Sequence, residues 1–433
     1  MPVVGGSVRT AMSILRPFLS RVVHKGRLTV ILPDGEREVF GAPAPGFPEV
    51  TIGFASGRGM RRILLDPRLG AAEAFMDGDL RIVDGDIMAL IGLIRMNTPW
   101  DRGATLKDKG WLGRRAEWVS SRLGSINRRR QSRANVRHHY DIGNDLYRLF
   151  LDADMQYSCA YWSRPGMTLD EAQAAKKAHI AAKLALAPGQ RILDIGCGWG
   201  GMAITLAGLA DVEVLGITLS EEQLALARER AAAAGLADRV RFELVDYRDL
   251  AAREAGGFDR IVSVGMFEHV GARNFETFFR AAANLMTADG VMLLHTIGRF
   301  GRPGATDAFT RKYIFPGGYI PALSETLAAS EKSRLIVTDV ETLRLHYALT
   351  LREWYARTVA HEAEIVRMMG DRFFRMWTFY LAGATAAFES GGMGNFQIQF
   401  ARSRNALPLT RDYIAKAEEG YQQAVFTPGI ARS

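Results

Sequence analysis

Residues 191–201 read Arg-Ile-Leu-Asp-Ile-Gly-Cys-Gly-Trp-Gly-Gly, an apolar strand that runs straight into a glycine-rich turn. Glycine at 196, 198 and 200 removes the Cβ atoms that would hold a ligand off the backbone. It also lets φ go positive where the strand bends into a helix over Met202 to Leu209. Such a turn is a nucleotide cradle. Its spacing, G-x-G-x-G rather than G-x-G-x-x-G, favours S-adenosylmethionine over a dinucleotide, although glycine turns recur in many α/β proteins. Gly196 and Gly198 are placed to pass beneath the methionine moiety and ribose, with Asp194 ordering the turn through its backbone amides. The second strand ends Gly216-Ile217-Thr218-Leu219-Ser220, without the acidic residue that often binds ribose hydroxyls in nucleotide folds.

Four further motifs sharpen the reading. They are His138-His139-Tyr140-Asp141-Ile142-Gly143-Asn144, Tyr157-Ser158-Cys159-Ala160-Tyr161-Trp162, Gly265-Met266-Phe267-Glu268-His269-Val270-Gly271 and Leu294-His295-Thr296-Ile297-Gly298. Together with the glycine loop they resemble the cyclopropane fatty acid synthase family, which includes the mycolic acid cyclopropane synthases, over residues 125–405. The resemblance points to Thr218, Leu219 and Gln223 at the cofactor, the Gln223 amide being able to bond a hydroxyl. It sets Tyr247 against adenine, and Tyr157 with Ser158 at the cofactor's amino-acid end.

The chemistry implied is methylene transfer to the cis double bond of an unsaturated phospholipid acyl chain. A double bond is a poor nucleophile but a sulfonium methyl is a strong electrophile, so in-line positioning can drive transfer and leave a carbocation. Ring closure then needs a base, aromatic faces for the cation and a dry pocket, since water would trap the cation as an alcohol. Cys159, Glu268, His295, Tyr347 and the carbonyl of Ile297 resemble the group that, in the relatives, holds a bicarbonate ion acting as that base. In that arrangement Glu268 accepts the bicarbonate hydroxyl while His295, Tyr347 and backbone amides donate, and His139 and Tyr140 order the wall. No metal is implied. Two other outcomes stay open: a methyl- or methylene-branched acyl chain, and a non-catalytic lipid-binding protein. The retained base group favours ring closure over branching.

The rest of the chain must position these groups. Strands are predicted at 191–197, 212–218, 240–246, 258–264, 290–297, 335–343 and 396–402, alternating with helices in the order of a class I S-adenosylmethionine-dependent methyltransferase. The last strand has a period of two, whereas the others are continuously apolar, as buried parallel strands should be; a Rossmann-like seven-stranded α/β sheet with a late antiparallel strand follows. Insertions at 298–334 and 344–395, rich in aromatics, are expected to wall an acyl-chain tunnel over the active site. Residues 20–100 alternate short strands, at 27–32, 37–40 and 49–54, with turns and apolar helices, a small α+β module similar to the sterol carrier fold that either binds lipid or docks. The expected division is thus an N-terminal lipid-associated or docking domain at 1–105, a basic linker at 106–136 and a catalytic domain at 137–433.

The 433 residues are 48% hydrophobic, enough to bury a large core in two or three domains. No apolar run approaches the roughly 18 residues that span a bilayer. The two cysteines, Cys159 and Cys197, each lie inside a motif, which argues for a reducing cytoplasm rather than a disulfide framework. Charge is concentrated between Lys107 and Arg137, where ten basic residues face Asp108 and Glu117, a local excess of eight in a chain whose net charge is +8. Such a cluster attracts anionic lipid headgroups at about 1 kcal/mol per residue, with Trp111 and Trp118 suited to the interface. No base-reading motif accompanies it, so a membrane surface is expected and nucleic acid is not. The basic N-terminal stretch with Arg9, Arg16, Arg21 and Lys25 reads as a surface helix of the mature protein. A cytoplasmic, peripherally membrane-associated homodimer is the resulting picture.

Overall fold

The computed structural model describes residues 3–67, 69–103 and 143–426. The basic segment 107–137, Trp111, Trp118, His139 and Tyr140 lie outside the described residues. Contacts gather the chain into two units. One takes the described residues up to 103 with Asp307–Ile314 and Leu351–Gly392; the other takes 143–306, Phe315–Thr350 and 393–426.

In the first unit the strands are β1 (Arg27–Ile31), β2 (Arg37–Phe40), β3 (Glu49–Phe54) and β4 (Leu80–Asp84), paired in the order β2-β1-β3-β4. β1 and β3 are parallel, while β2 and β4 run antiparallel at the edges. Leu28, Val30, Val50, Ile52 and Phe54 are buried at a spacing of two, the alternation that marked β1 and β3 in the sequence. β4 was not anticipated, because only Leu80 of its five residues is buried and no alternation shows. Helix Val3–Val22 buries Ala11, Met12, Leu15 and Val22 on this core.

A four-stranded sheet of this size buries too little alone. Helices from far later in the chain complete it: Asp371–Glu389 packs on Ile87–Met96 and on Leu69–Met76. Phe379 meets Phe75 with ring centroids 6.1 Å apart and Phe309 at 5.0 Å, and Tyr355 donates to Asp86 Oδ2 at 3.2 Å. Much of the aromatic content of the second insertion is therefore core of the first unit.

The second unit holds β5 (Arg191–Ile195), β6 (Glu213–Thr218), β7 (Val240–Leu244), β8 (Phe258–Val264), β9 (Met286–Arg299), β10 (Ile336–Leu343) and β11 (Met393–Ala401). Their order is β10-β11-β9-β8-β5-β6-β7. β5 through β9 pair in parallel and β11 is antiparallel to both β9 and β10, the expected methyltransferase sheet with its late antiparallel strand. The winding reverses between β5 and β8, which puts the ligand crevice at their carboxyl ends. β11 has its period of two buried on both faces: Phe396, Ile398 and Phe400 are buried, and so are Asn395, Gln397 and Gln399, whose side-chain NH2 groups find polar partners.

Helix Leu169–Leu184 covers this sheet and is held to the C-terminal helix Asp412–Phe426 by a charged cluster. His179 hydrogen-bonds Glu341 through Nε2 at 2.6 Å and Glu418 through Nδ1 at 2.8 Å, and stacks on Tyr161 at 4.1 Å. Burial opposes the imidazolium, but the two carboxylates outweigh it and raise the His179 pKa. A raised folded pKa gives stability that is complete below the unfolded value near 6.5 and is lost as pH rises through the folded value. The expected result is that amide exchange in Asp412–Phe426 accelerates as pH is raised past 7 in wild type, after correction for intrinsic rates. His179→Gln should exchange fast at both ends of the range. A wild-type profile flat with pH would remove His179 from this role.

Candidate active site

The carboxyl ends of β5 to β8 open on one cavity in the second unit. All nine positions expected at the cofactor line it: Tyr157 and Ser158 from a strap between helices; Asp194, Gly196 and Gly198 from β5 and its turn; Thr218, Leu219 and Gln223 around the end of β6; and Tyr247 after β7. Pro316 and Gly317 are the contribution of the first insertion.

Each glycine has its own reason. Gly196 sits at φ +82°, and a Cβ there would stand 2.7 Å from Met266 Cγ. Gly200, at φ +83°, precedes helix Gly201–Leu209, and its Cβ would stand 2.7 Å from Phe242 Cζ. Gly198, at φ +54°, would meet no protein atom within 4 Å, so the space above it belongs to the cavity. The turn is pinned to β6 by the amides of Gly196 and Cys197, which donate to the Ile217 carbonyl at 2.9 and 3.0 Å. This corrects the role expected of Asp194, whose carboxylate does not receive those amides. Asp194 is 1% exposed, its Oδ2 accepts no hydrogen bond, and burial lifts its pKa to about 7 against the pull of Lys176. A buried acceptor left open beside a bare glycine suits a ligand that carries donors, such as the ammonium and hydroxyls of S-adenosylmethionine.

At the end of β6 the Thr218 hydroxyl donates to Gln223 Oε1 at 2.9 Å, and Ser220 caps the next helix through the Gln223 amide at 3.3 Å. That leaves the Gln223 side-chain NH2 to meet a hydroxyl. Tyr247 packs edge-on to Phe278 at 5.4 Å, and burial moves its phenol to about 12. The neighbouring Asp246 and Arg248, bonded to each other, also line the cavity. Asp246, just beyond the third strand Val240–Leu244, was not among the expected positions.

Of the expected base group, Glu268 lies between the cavity-lining residues Met266 and His269. Glu268 follows β8 in a short turn, Phe267–His269, and its Oε1 accepts from the Ile297 amide of β9 at 2.6 Å. That amide is thus committed to Glu268 rather than free for an anion, while the Ile297 carbonyl accepts from Thr296 Oγ1 at 3.0 Å. Glu268 Oε2 is buried and accepts nothing, and burial raises the carboxyl pKa to about 7. His295, two residues before Ile297 on the same face of β9, lies between two carboxamides of β11: Asn395 Nδ2 at 3.1 Å from Nε2 and Gln397 Nε2 at 3.2 Å from Nδ1. Burial holds its pKa well below the usual 6.5, so the ring is neutral and carries one N–H. Sequence reasoning missed both carboxamides, because a polar residue in an alternating strand reads as solvent-facing.

Cys159 and Tyr347 belong to a second pair of neighbouring segments. The Ala160 amide donates to Thr350 Oγ1 at 3.1 Å and the Trp162 amide to His346 Nδ1 at 2.9 Å, which ties the segment after Cys159 to the helix that begins at His346. Both side chains are buried, and burial pushes the Cys159 thiol up, so it is an uncharged wall at neutral pH. No metal-ligating cluster exists among the described residues.

Residues 127–398 match the family described as mycolic acid cyclopropane synthetase. The chain is 38% identical to cyclopropane-fatty-acyl-phospholipid synthase of Escherichia coli K12, over 81% of this chain and 88% of the relative. It is 42% identical to a probable fatty acid methyltransferase of Pseudomonas putida, over 64% of this chain and 72% of that one. Among solved structures, mycolic acid cyclopropane synthase CmaA1 in complex with SAH and CTAB superposes with a TM-score of 0.58 at 35% identity, covering 62% of this chain and 98% of its own. A methyltransferase sheet, an S-adenosylmethionine cradle at its switch point and this breadth of likeness agree: the chain is an enzyme of the mycolic acid cyclopropane synthetase family.

Proposed function

We propose that the protein adds a methylene group to the cis double bond of an unsaturated acyl chain of a membrane phospholipid, giving a cyclopropane fatty acid. The observation that carries this reading is a cofactor cavity and, on the turn between its lining residues Met266 and His269, a buried carboxyl, Glu268, with one oxygen unused. S-adenosylmethionine, when bound, supplies an electrophilic methyl, and a bicarbonate ion supplies a base for the proton that must leave for the ring to close. The chain's own groups do the rest. Gly196 and Gly198 give the cofactor close backbone approach, and Gln223 and Asp194 offer a donor and an acceptor. Glu268 Oε2, Tyr347, Cys159 and the Ile297 carbonyl would hold the anion; the His295 ring, expected to donate to it, has both nitrogens against Asn395 and Gln397 and would instead order the wall beside it. The buried walls keep water from a cationic acyl chain.

The test is expression in a host without such an enzyme, followed by mass analysis of released fatty acids. A gain of one CH2 with loss of the double bond, and ring protons at high field in NMR, supports ring closure. A methyl branch would support the second reading, for which the name of the Pseudomonas putida relative speaks. A lipid profile unchanged in mass would overturn both, and would leave the lipid-binding alternative.

The reading extends to place and assembly: a peripheral enzyme at the anionic cytoplasmic leaflet, acting as a homodimer. None of the described helices is long and apolar enough to cross a membrane. Arg128, Arg129 and Arg130 fall in the basic segment outside the described residues. Replacing all three by Gln should weaken sedimentation with anionic vesicles by more than tenfold, at about 1 kcal/mol each, and leave turnover of detergent-dispersed lipid nearly unchanged. High salt should do the same to wild type. Vesicle binding indifferent to both changes would make the segment a linker.

A further inference from the structure

Lys176 is a fully buried cation that the functional reading has not used. It lies in the middle of helix Leu169–Leu184, one of three buried polar residues on one face, Gln173, Lys176 and Lys177, at i, i+3 and i+4. All three grip the strap that carries Tyr157 and Ser158. Gln173 Nε2 donates to the carbonyls of Gln156 at 3.1 Å and Ser158 at 3.0 Å, and Lys177 pairs with Asp154. Lys176 reaches further: its Nζ donates to Gln156 Oε1 at 2.7 Å and to Ser158 Oγ at 2.8 Å, and both side chains line the cofactor cavity.

An ammonium can only donate. A serine hydroxyl that accepts from it keeps its one hydrogen for another partner, so the bond fixes Ser158 as a donor towards its remaining surroundings. The Gln156 amide is fixed as well: its oxygen is taken by Lys176, and its NH2 donates to Asp154 Oδ2 at 3.0 Å. Charge assists the arrangement, because a hydroxyl polarised by an ammonium is a stronger donor. A strengthened donor beside a buried positive charge suits an anionic acceptor and repels an ammonium. Of the two charged groups at the amino-acid end of S-adenosylmethionine, only the carboxylate meets that description.

We infer that Lys176 is a positioning residue for the cofactor, acting through Ser158 and Gln156 to make the strap a receptor for the carboxylate of the methionine moiety. The inference rests on the cofactor reading above and goes beyond it by naming the group that sets the polarity of Ser158. Burial lowers the Lys176 pKa to about 8, with Asp152 and Asp154 opposing that fall and Lys177 reinforcing it, so the ammonium dominates at neutral pH. Its field also reaches Asp194, Cys159 and His295, favouring the ionised form of the acid and thiol and the neutral form of the imidazole.

The test compares two ligands that share the adenosine and the thioether but differ at the amino-acid end. These are S-adenosylhomocysteine, which has the carboxylate, and 5′-methylthioadenosine, which lacks it. Calorimetry on Lys176→Met, nearly isosteric and neutral, should show S-adenosylhomocysteine weakened by at least tenfold and 5′-methylthioadenosine changed by less than twofold. Equal losses for both ligands would mean a general structural role and overturn the inference, as would no loss for either. A wild-type protein that binds neither ligand would overturn the cofactor reading and this inference with it. Should Lys176→Met fail to fold, Ser158→Ala carries the test. It must show the same ligand-selective loss, and a full preference for S-adenosylhomocysteine in that variant would sink the proposal.

Discussion

Glu268→Gln is expected to lower turnover by two to four orders of magnitude while leaving S-adenosylhomocysteine affinity within about twofold, the range found when a group handling a proton in the transition state is lost. The geometry explains both halves. The Ile297 amide, 2.6 Å from Oε1, continues to find an acceptor in the Gln carbonyl oxygen, so the backbone around the turn stays put. The other position, Oε2, is a buried acceptor in wild type and becomes an NH2 donor in the variant, which could not receive the hydroxyl of the bicarbonate proposed there. Activity in wild type should rise with pH through about 7, where Glu268 ionises. Stability should move the opposite way. Holding a carboxyl near 7 rather than its usual 4.5 penalises the ionised form by roughly 3 kcal/mol, a penalty absent below 4.5 and complete above 7. The melting temperature of Glu268→Gln, measured relative to wild type, should therefore climb from pH 5 to pH 8 as its activity stays low. Near-normal turnover in the variant would make Glu268 structural and shift attention to His295.

The glycine loop yields the second large effect, in the form of a contrast. Gly196→Val forces a β-branched residue to φ +82° and into Met266 Cγ at 2.7 Å, so the turn must move; loss of cofactor binding should come with a lower melting temperature. Gly198→Ala separates the two. Its φ of +54° lies in the left-handed region that a non-glycine residue reaches for about 1–2 kcal/mol, and its methyl meets no protein atom within 4 Å. The folded variant should keep its far-ultraviolet spectrum and lose at least tenfold in S-adenosylmethionine affinity, because the methyl occupies cavity space. Unchanged affinity in a folded Gly198→Ala would take the turn out of the ligand site.

Most of the catalytic sheet was legible because β5, β6, β8 and β9 carry apolar runs separated by helical patterns; β7 alternates and the edge strand β10 is largely exposed, against the continuous apolarity expected of both, yet each of β5 to β11 appears within a few residues of its predicted place. That the nine positions expected at the cofactor would line one cavity was legible because motifs at strand ends fall together whenever the sheet is wound this way. What could not be read shares one property: the residue's meaning depends on what faces it across the fold. Lys176 and Gln173 in a helix, and Asn395, Gln397 and Gln399 in an alternating strand, look like solvent contacts until their partners from 17 to more than 100 positions away are known. The roles of single rings in the aromatic insertion 344–395 were not legible for a related reason. A ring in a tunnel wall and a ring in a core have the same sequence signature, and Tyr355 and Phe379 serve a core.

The buried carboxamides of β11 also act as a key for strand alignment. Gln397 stands opposite His295 and Asn395 opposite Ile297, so each ring nitrogen faces a carboxamide only in this alignment. A slip of one position would bring Phe396 or Ile398 across from His295, strand both ring nitrogens and two amides away from water, and cost about 1–3 kcal/mol for each. An all-apolar β11 would tolerate neighbouring alignments nearly as well as the native one. The polar row makes them mutually exclusive, and so holds His295 and the Ile297–Glu268 contact at one depth in the sheet.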